Sequence, residues 1–282
     1  MRTTEKINTT GASSLRFLYN TAVGRLLLKP IICKPVSLFF GFVLDRKISA
    51  CFINKFIKSN NIDMSDYECK KYRSFNDFFT RKIKPETRPI DNNHNTLVSP
   101  CDARLTVYEI NDESVFTIKG VQYTVSELLQ DEKLGKEYNN GYCLIFRLAV
   151  DNYHRYGFCV DGVAGTPIHI KGKYHTVQPI AMRKFPIFRE NVREYTVIDS
   201  ELFDKVIQME VGALNVGRIC NYKTDNCTVK KGAEKGKFEF GGSTIIVLIK
   251  KDIIKLDEEL LENTNNMLET NVKYGEALGT RI

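Results

Sequence analysis

Histidine is scarce in this chain: four occur in 282 residues, at positions 94, 154, 169 and 175, so the acid–base candidates can be enumerated. None of them stands in HxH or HxxxH spacing. The eight cysteines, at 33, 51, 69, 101, 143, 159, 220 and 227, form no CxxC pair, so no metal site is expected. They read as reduced, mostly buried thiols of an intracellular protein. Long apolar runs are also missing. The longest uncharged run in the first apolar zone, Pro35 to Leu44, is far short of the ~20 residues of a spanning helix. The polar start "MRTTEKINTTGASS" has no apolar stretch of the kind a signal peptide needs. There is no Walker loop, no strand-to-helix glycine fingerprint and no Gly-x-Ser-x-Gly elbow, because the "GG" of "EKGKFEFGG" leads into a strand.

Acidic charge is what the first third lacks. Residues 1–90 hold 17 Lys and Arg against 7 Asp and Glu, whereas the whole chain carries +7. An anionic partner is implied. The basic residues adjoin the greasy stretch "AVGRLLLKPIICKPVSLFFGFVL", interrupted by Arg25, Lys29, Lys34, Pro30 and Pro35, which suits the surface of an anionic membrane better than nucleic acid. The expected location is peripheral, on the cytoplasmic face. A solvated lysine-rich surface would give the same count.

Apolar residues at three- and four-residue spacing predict helices over residues ~12–28 and ~36–60. A third helix is predicted in "SFNDFFTRKIKP", capped by Ser74 and ended by Pro85. The prolines of "KPETRPID" mark a boundary, giving a helical basic region 1–90 and a β-rich body 91–282. In that body "RLTVYEI", "YCLIFRLAV", "REYTVI", "VIQMEVGALNVGRI" and "STIIVLIK" have strand length and composition. The fold class is therefore α+β. "VKKGAEKG" and "VKYGEALG" share Val, Lys and two glycines at equal spacing, the pattern of a hairpin turn. Between them "KLDEELLENTNNMLETN" reads as a short acidic helix or a loop.

The stretch "EFGGSTIIVLI" sets two permissive glycines and Ser243 at the mouth of a stiff β-branched run. His154 follows the apolar run "YCLIFRLAV", where rigid backbone can present a side chain, although a lone histidine there is more often structural. Asp102 in "VSPCDARL" could simply cap its own turn. With Ser243 and His154 it completes an acid, base and nucleophile set, one that composition alone does not make specific. His94, in "DNNHNT", reads as solvated.

Five blocks in order, "FNDFFTRKIKPETRPID", "VSPCDARL", "DNYHRYGF", "VGALNVGRI" and "FEFGGST", resemble the phosphatidylserine decarboxylases, and "VGRLLLKP" extends the likeness toward the N-terminus. The resemblance implies a proenzyme that cuts itself between Gly242 and Ser243 into a β chain, 1–242, and an α chain, 243–282. In that chemistry the Ser243 hydroxyl attacks the Gly242 carbonyl, and the resulting ester eliminates to a dehydroalanine. Hydrolysis then leaves a pyruvoyl group and releases ammonia. The pyruvoyl group would form a Schiff base with phosphatidylserine and act as electron sink for loss of carbon dioxide, yielding phosphatidylethanolamine. By resemblance Asp102 and His154 orient and deprotonate Ser243, and His154 is also the proton donor. The implied partners are phosphatidylserine, the membrane surface, the two cleaved chains for one another and a homodimer.

Many members read Asp-Tyr-His-Arg-x-His in the third block. Here Asn152 replaces the aspartate and Gly157 the second histidine, while Ala103 replaces a glycine after Asp102. Either His154 serves both reactions, or His169 or His175 fills the gap. Two other readings are a stable Ser-His-Asp lipid hydrolase and a non-enzymatic membrane-bound scaffold.

Overall fold

A computed structural model describes residues 2–7, 13–118, 120–182, 185–214, 218–222, 225–240 and 243–282. Gly241 and Gly242, and with them the expected cleavage bond, lie outside the described residues. The expected α+β class holds. The β-branched runs pair into a ten-stranded antiparallel sheet whose path runs Thr4–Lys6, Leu268–Val272, Ala103–Glu109, Tyr142–Leu148, Ser243–Ile249, Asp204–Gly212, Arg193–Ser200, Gly162–Ala164, Cys227–Val229. Ile168–Ile170 pairs beside it with Arg193–Ser200.

"STIIVLI" is central and buried along its whole length, because both faces of the sheet are covered. Its even residues Ile246 and Leu248 join Met209, Ile145, Tyr19 and Leu28 in a core beneath the N-terminal helices. Its odd residues Ile245, Val247 and Ile249 join Leu144, Phe146, Tyr156 and Phe238 in a second core. There a small sheet of Ile219–Asn221, Glu234–Phe238 and Arg155–Gly157 covers the main one. Period-two alternation alone sorts these two sets.

The two long N-terminal helices are broken where they were expected to be continuous. They resolve into α1 (Ser13–Asn20), α2 (Ala22–Ile31), α3 (Lys34–Leu44), a 3-10 turn at Lys47–Phe52 and α4 (Ile53–Ser59). Thr21 is extended and caps α2 by accepting from the Gly24 amide at 2.9 Å. Pro35 sits in the first turn of α3, where a missing N–H costs nothing. The axes of α2 and α3 differ by 66°, and no single helix among the described residues is long and apolar enough to cross a membrane. α5 (Phe75–Phe79) is capped by Ser74 as expected but stops at Thr80, and Pro85 opens a 3-10 turn, Pro85–Thr87, instead of ending the helix.

The two glycine turns are corners rather than hairpins. "VKKGAEKG" carries the chain from Cys227–Val229 of the main sheet to Glu234–Phe238 of the small one. "VKYGEALG" carries it from Leu268–Val272 to Ala277–Arg281 in another three-stranded sheet. Gly232 (φ +71°) and Gly275 (φ +80°) both close on the Ile90 side chain, leaving no space for a Cβ at either. The acidic segment forms a helix at Glu258–Asn265. The thiols depart from expectation: Cys101, Cys143 and Cys159 are buried, but Cys33, Cys51 and Cys69 are exposed on the N-terminal helices and the loop after them.

Candidate active site

Ser243 opens the central strand, opposite Gly212 on one side and Leu148 on the other. It is fully buried, and its Oγ has no hydrogen-bond partner among the described residues. The neighbouring strand stops at Leu148, and the chain turns sharply because Asn152 Oδ1 accepts the Ala149 amide at 2.8 Å. His154 therefore stands in the connection to Arg155–Gly157, not at the strand end expected from sequence.

His154 is also fully buried. Its Nδ1 lies 2.9 Å from the Asn152 carbonyl oxygen, which can only accept, so the proton is assigned to Nδ1 and the lone pair to Nε2. Nε2 has no partner among the described residues. Burial pushes the imidazole down to about 3; the Asn152 contact opposes this and Arg81 adds to it, so the ring is neutral at pH 7. Phe79 packs against it with ring centroids 4.0 Å apart. Phe79 also meets Phe240 at 5.0 Å, three residues before Ser243, and the Phe240 amide donates to Asn76 Oδ1 at 3.2 Å. The short helix α5 thus holds both His154 and the approach to Ser243.

Asp102 is spoken for. Arg88 Nε donates to its two oxygens at 2.9 and 3.2 Å, Arg88 Nη2 donates at 2.7 Å, and the Tyr274 amide donates at 2.8 Å. Burial disfavours the Arg88 cation, but Asp102 and then Asp66 outweigh it and raise the guanidinium further above its ordinary value. Asp102 makes no hydrogen bond to His154 or Ser243 among the described residues. Gly157 shows why no second histidine stands there: a Cβ would collide with the Tyr274 hydroxyl and the Ala233 carbonyl oxygen. Tyr274 fills that space and donates to the Gly232 carbonyl at 2.7 Å.

The other histidines divide. His175 is buried on the helical side, stacked on Phe185 at 5.0 Å with Nδ1 3.4 Å from the Tyr19 hydroxyl. Its Nε2 lies 3.4 Å from Glu190 Oε2 without hydrogen-bond alignment, and burial pushes its pKa down. His169 is half exposed, 3.5 Å from Glu194. It lines a groove of about 490 Å³ between α3 (Leu38, Phe42) and the sheet, which reaches Arg218 and Glu239. A polar cavity of about 380 Å³ sharing Asp45 and Glu239 continues past Lys47 and Arg73. His94 is solvated, as expected, 3.5 Å from Asp161.

Arg88, Tyr274, Phe240 and the Asn152 carbonyl were not singled out from sequence. Arg88 lies inside the block "KPETRPID" and Tyr274 inside the glycine turn "VKYGEALG", but neither pattern points to a bond with Asp102.

The chain is similar to known proteins over most of its length. The family model described as phosphatidylserine decarboxylase matches residues 75–280. The chain is 49% identical over 274 residues to a phosphatidylserine decarboxylase proenzyme 2 of Clostridium acetobutylicum, covering 94% of this chain and 91% of that one. It is 44% identical over 276 residues to the phosphatidylserine decarboxylase proenzyme of Clostridium botulinum strain Langeland, covering 96% and 94%. With that of Clostridium novyi strain NT the identity is 42% over 277 residues, again covering 96% and 94%. The chain belongs to the phosphatidylserine decarboxylase family.

Proposed function

We propose that this chain is a proenzyme that cuts itself at Ser243 and then decarboxylates phosphatidylserine to phosphatidylethanolamine. One observation carries the reading: two buried polar atoms, Ser243 Oγ and His154 Nε2, have no partner among the described residues and stand at the same end of the sheet, beside one aromatic cluster. Each unmade hydrogen bond costs about 1–3 kcal/mol. Other buried atoms such as His175 Nε2 and Thr196 Oγ1 are bare too among the described residues, but these two pair a hydroxyl at the expected cut with an imidazole beside the same aromatic cluster.

Ser243 Oγ attacks the preceding carbonyl, and His154 Nε2, the bare nitrogen, takes its proton. The Asn152 carbonyl fixes the ring that does so, in the place a carboxylate holds in a triad. Asp102 serves at one remove. Its bonds to Arg88 and the Tyr274 amide fasten the segment after Ser243 to the larger fragment, so the cut product stays assembled. The orphaned Ser243 hydroxyl at a strand entrance fits the residue that becomes a pyruvoyl group. That group supplies an electron sink for loss of carbon dioxide. His154 is placed to hold the proton released by the substrate ammonium and return it to carbon. His169 lines the groove and meets the substrate rather than Ser243, while His175 stays in the helical core.

The lipid would enter from a membrane surface. Leu26, Leu27, Phe39, Phe42, Ile48 and Phe52 are all at least half exposed on the bent α2–α3 pair and the turn after it, and Phe42 also edges the groove. Arg25, Lys29, Lys34, Arg46 and Lys47 interleave with them, a composition suited to an anionic interface.

Intact-mass measurement tests the chemistry. Fragments 1–242 and 243–282 are expected, the smaller lighter than its serine-started sequence by one ammonia, and a single full-length mass in an active preparation would refute it. Sedimentation with phosphatidylserine vesicles at low salt is expected, and loss of binding is expected when Phe39 and Phe42 become serine.

A further inference from the structure

A lysine and a glutamate lie wholly inside the protein beside the proposed site. Glu210 interrupts the apolar run "VIQMEVG" and Lys235 stands in "EKGKFEF", and they are 0% and 1% exposed. Lys235 Nζ donates to Glu210 Oε2 at 2.6 Å. Register places Glu210 opposite Ile245 and Gly212 opposite Ser243, so Glu210 is the diagonal neighbour of Ser243 on the same face of the sheet. Lys235 belongs to the small sheet that covers this face, the sheet whose strand Arg155–Gly157 begins directly after His154.

Further bonds tie the two sheets at this point. Lys235 Nζ also donates to Asn221 Oδ1 at 3.1 Å, and Asn221 Nδ2 donates to Glu210 Oε2 at 2.9 Å and Glu194 Oε1 at 2.6 Å. The Tyr156 hydroxyl donates to Asn221 Oδ1 at 3.0 Å. Gln208, next to Glu210 on the same face, donates to the Gly157 carbonyl at 2.9 Å. Non-directional apolar contact would let the two layers slide. A buried ion pair does not, and its desolvation cost makes it a poor choice for stability alone.

We propose that the Glu210–Lys235 pair, with Asn221 and Gln208, is a positioning device that holds the small sheet, and so His154, in the placement self-cleavage requires. The proposal rests on the reading of Ser243 and His154 given above. It is tested by replacing the pair with apolar side chains of similar size, Glu210→Leu with Lys235→Met, in the full chain, and following intact mass over time beside thermal melting. Such exchanges often leave stability unchanged or raised. The expected result is a melting temperature at or above that of the unsubstituted chain, with cleavage slowed by about tenfold or more. Asn221→Ser, which keeps the ion pair and removes its bridges, is expected to slow cleavage less, and Lys235→Arg in the otherwise unaltered chain to retain most of the rate. A folded double variant that cleaves at the unsubstituted rate overturns the proposal. So does a double variant that fails to fold, which would mark the pair as an ordinary structural contact. Absence of cleavage in the unsubstituted chain would instead overturn the assignment of Ser243.

Discussion

Asp102 and His154 are the two polar partners that sequence proposes for Ser243, and the structure treats them oppositely. Asp102 makes four hydrogen bonds, three from Arg88 and one from the Tyr274 amide. His154 makes one, with its other nitrogen bare, and Ser243 Oγ makes none among the described residues. A buried group whose bonds are all made holds structure, whereas an unmade bond leaves an atom available. His175 Nε2 and Thr196 Oγ1 are bare as well among the described residues, so it is the place beside the expected cut that singles out Ser243 and His154. On the proposed function, the contrast divides the three residues into a fastener and a reacting couple.

The largest expected effect lies on the reacting side. Ser243→Ala should remain a single chain with its fold intact, read by intact mass and circular dichroism. His154→Gln should slow cleavage by about 10²–10⁴-fold, the usual worth of a general base, without lowering the melting temperature. Cleavage at the normal rate in His154→Gln would break the comparison and return the choice to His175 or His169.

All three residues stood out in sequence, Asp102 through "VSPCDARL"; the partners that hold Asp102 did not. Ser243 and His154 stood out through short blocks, "FEFGGST" and "DNYHRYGF", and local pattern also gave the strands and the Ser74 cap. What Asp102 does depends on Arg88, 14 residues earlier, and on Tyr274, 172 residues later, and no periodicity joins positions that far apart. The corners at Gly232 and Gly275 misled for the same reason: their local pattern is that of a hairpin, while strand pairing decided elsewhere sends each chain into another sheet. In the N-terminal helices, three- and four-residue spacing hid the breaks at Thr21 and Cys33, because apolar residues there still find a core or an exposed face on either side of each bend.

On the fastening side, Asp102→Asn strips the charge from a nearly buried pair and leaves Arg88 with Asp66 alone. The expected loss is about 3–5 kcal/mol, the cost of breaking one side of a buried ion pair. It should show as a lower denaturation midpoint in the uncut Ser243→Ala background, with cleavage in the folded Asp102→Asn protein slowed far less than by His154→Gln. Normal stability with abolished cleavage would place Asp102 among the reacting groups.

Gly157→Ala probes the same fastener from its other end. A methyl group there must displace Tyr274, whose amide holds Asp102, or the Ala233 carbonyl. Overpacking of this kind costs about 1–3 kcal/mol, and Tyr274→Phe is expected to relieve part of it by removing the hydroxyl the methyl group meets. Equal stability of Gly157→Ala and the unsubstituted chain in urea melts would show that the space is not full.

The smallest effect is the dependence on pH that His154 contributes. Its folded pKa, about 3, lies below the 6.5 of an ordinary imidazole, because burial disfavours the cation. The unfolded chain therefore binds a proton that the folded chain does not between these values. The stability that neutral His154 allows is fully present above pH 6.5 and declines as pH falls toward 3. From pH 6.5 to 5 the loss is about 2 kcal/mol, taking 1.36 kcal/mol for each pH unit. Measured as the difference between Ser243→Ala and the double variant with His154→Gln, it cancels the carboxylates common to both. A difference that does not change with pH would mean that the ring reaches water or a carboxylate in solution, and that its bare nitrogen is not held in reserve for Ser243.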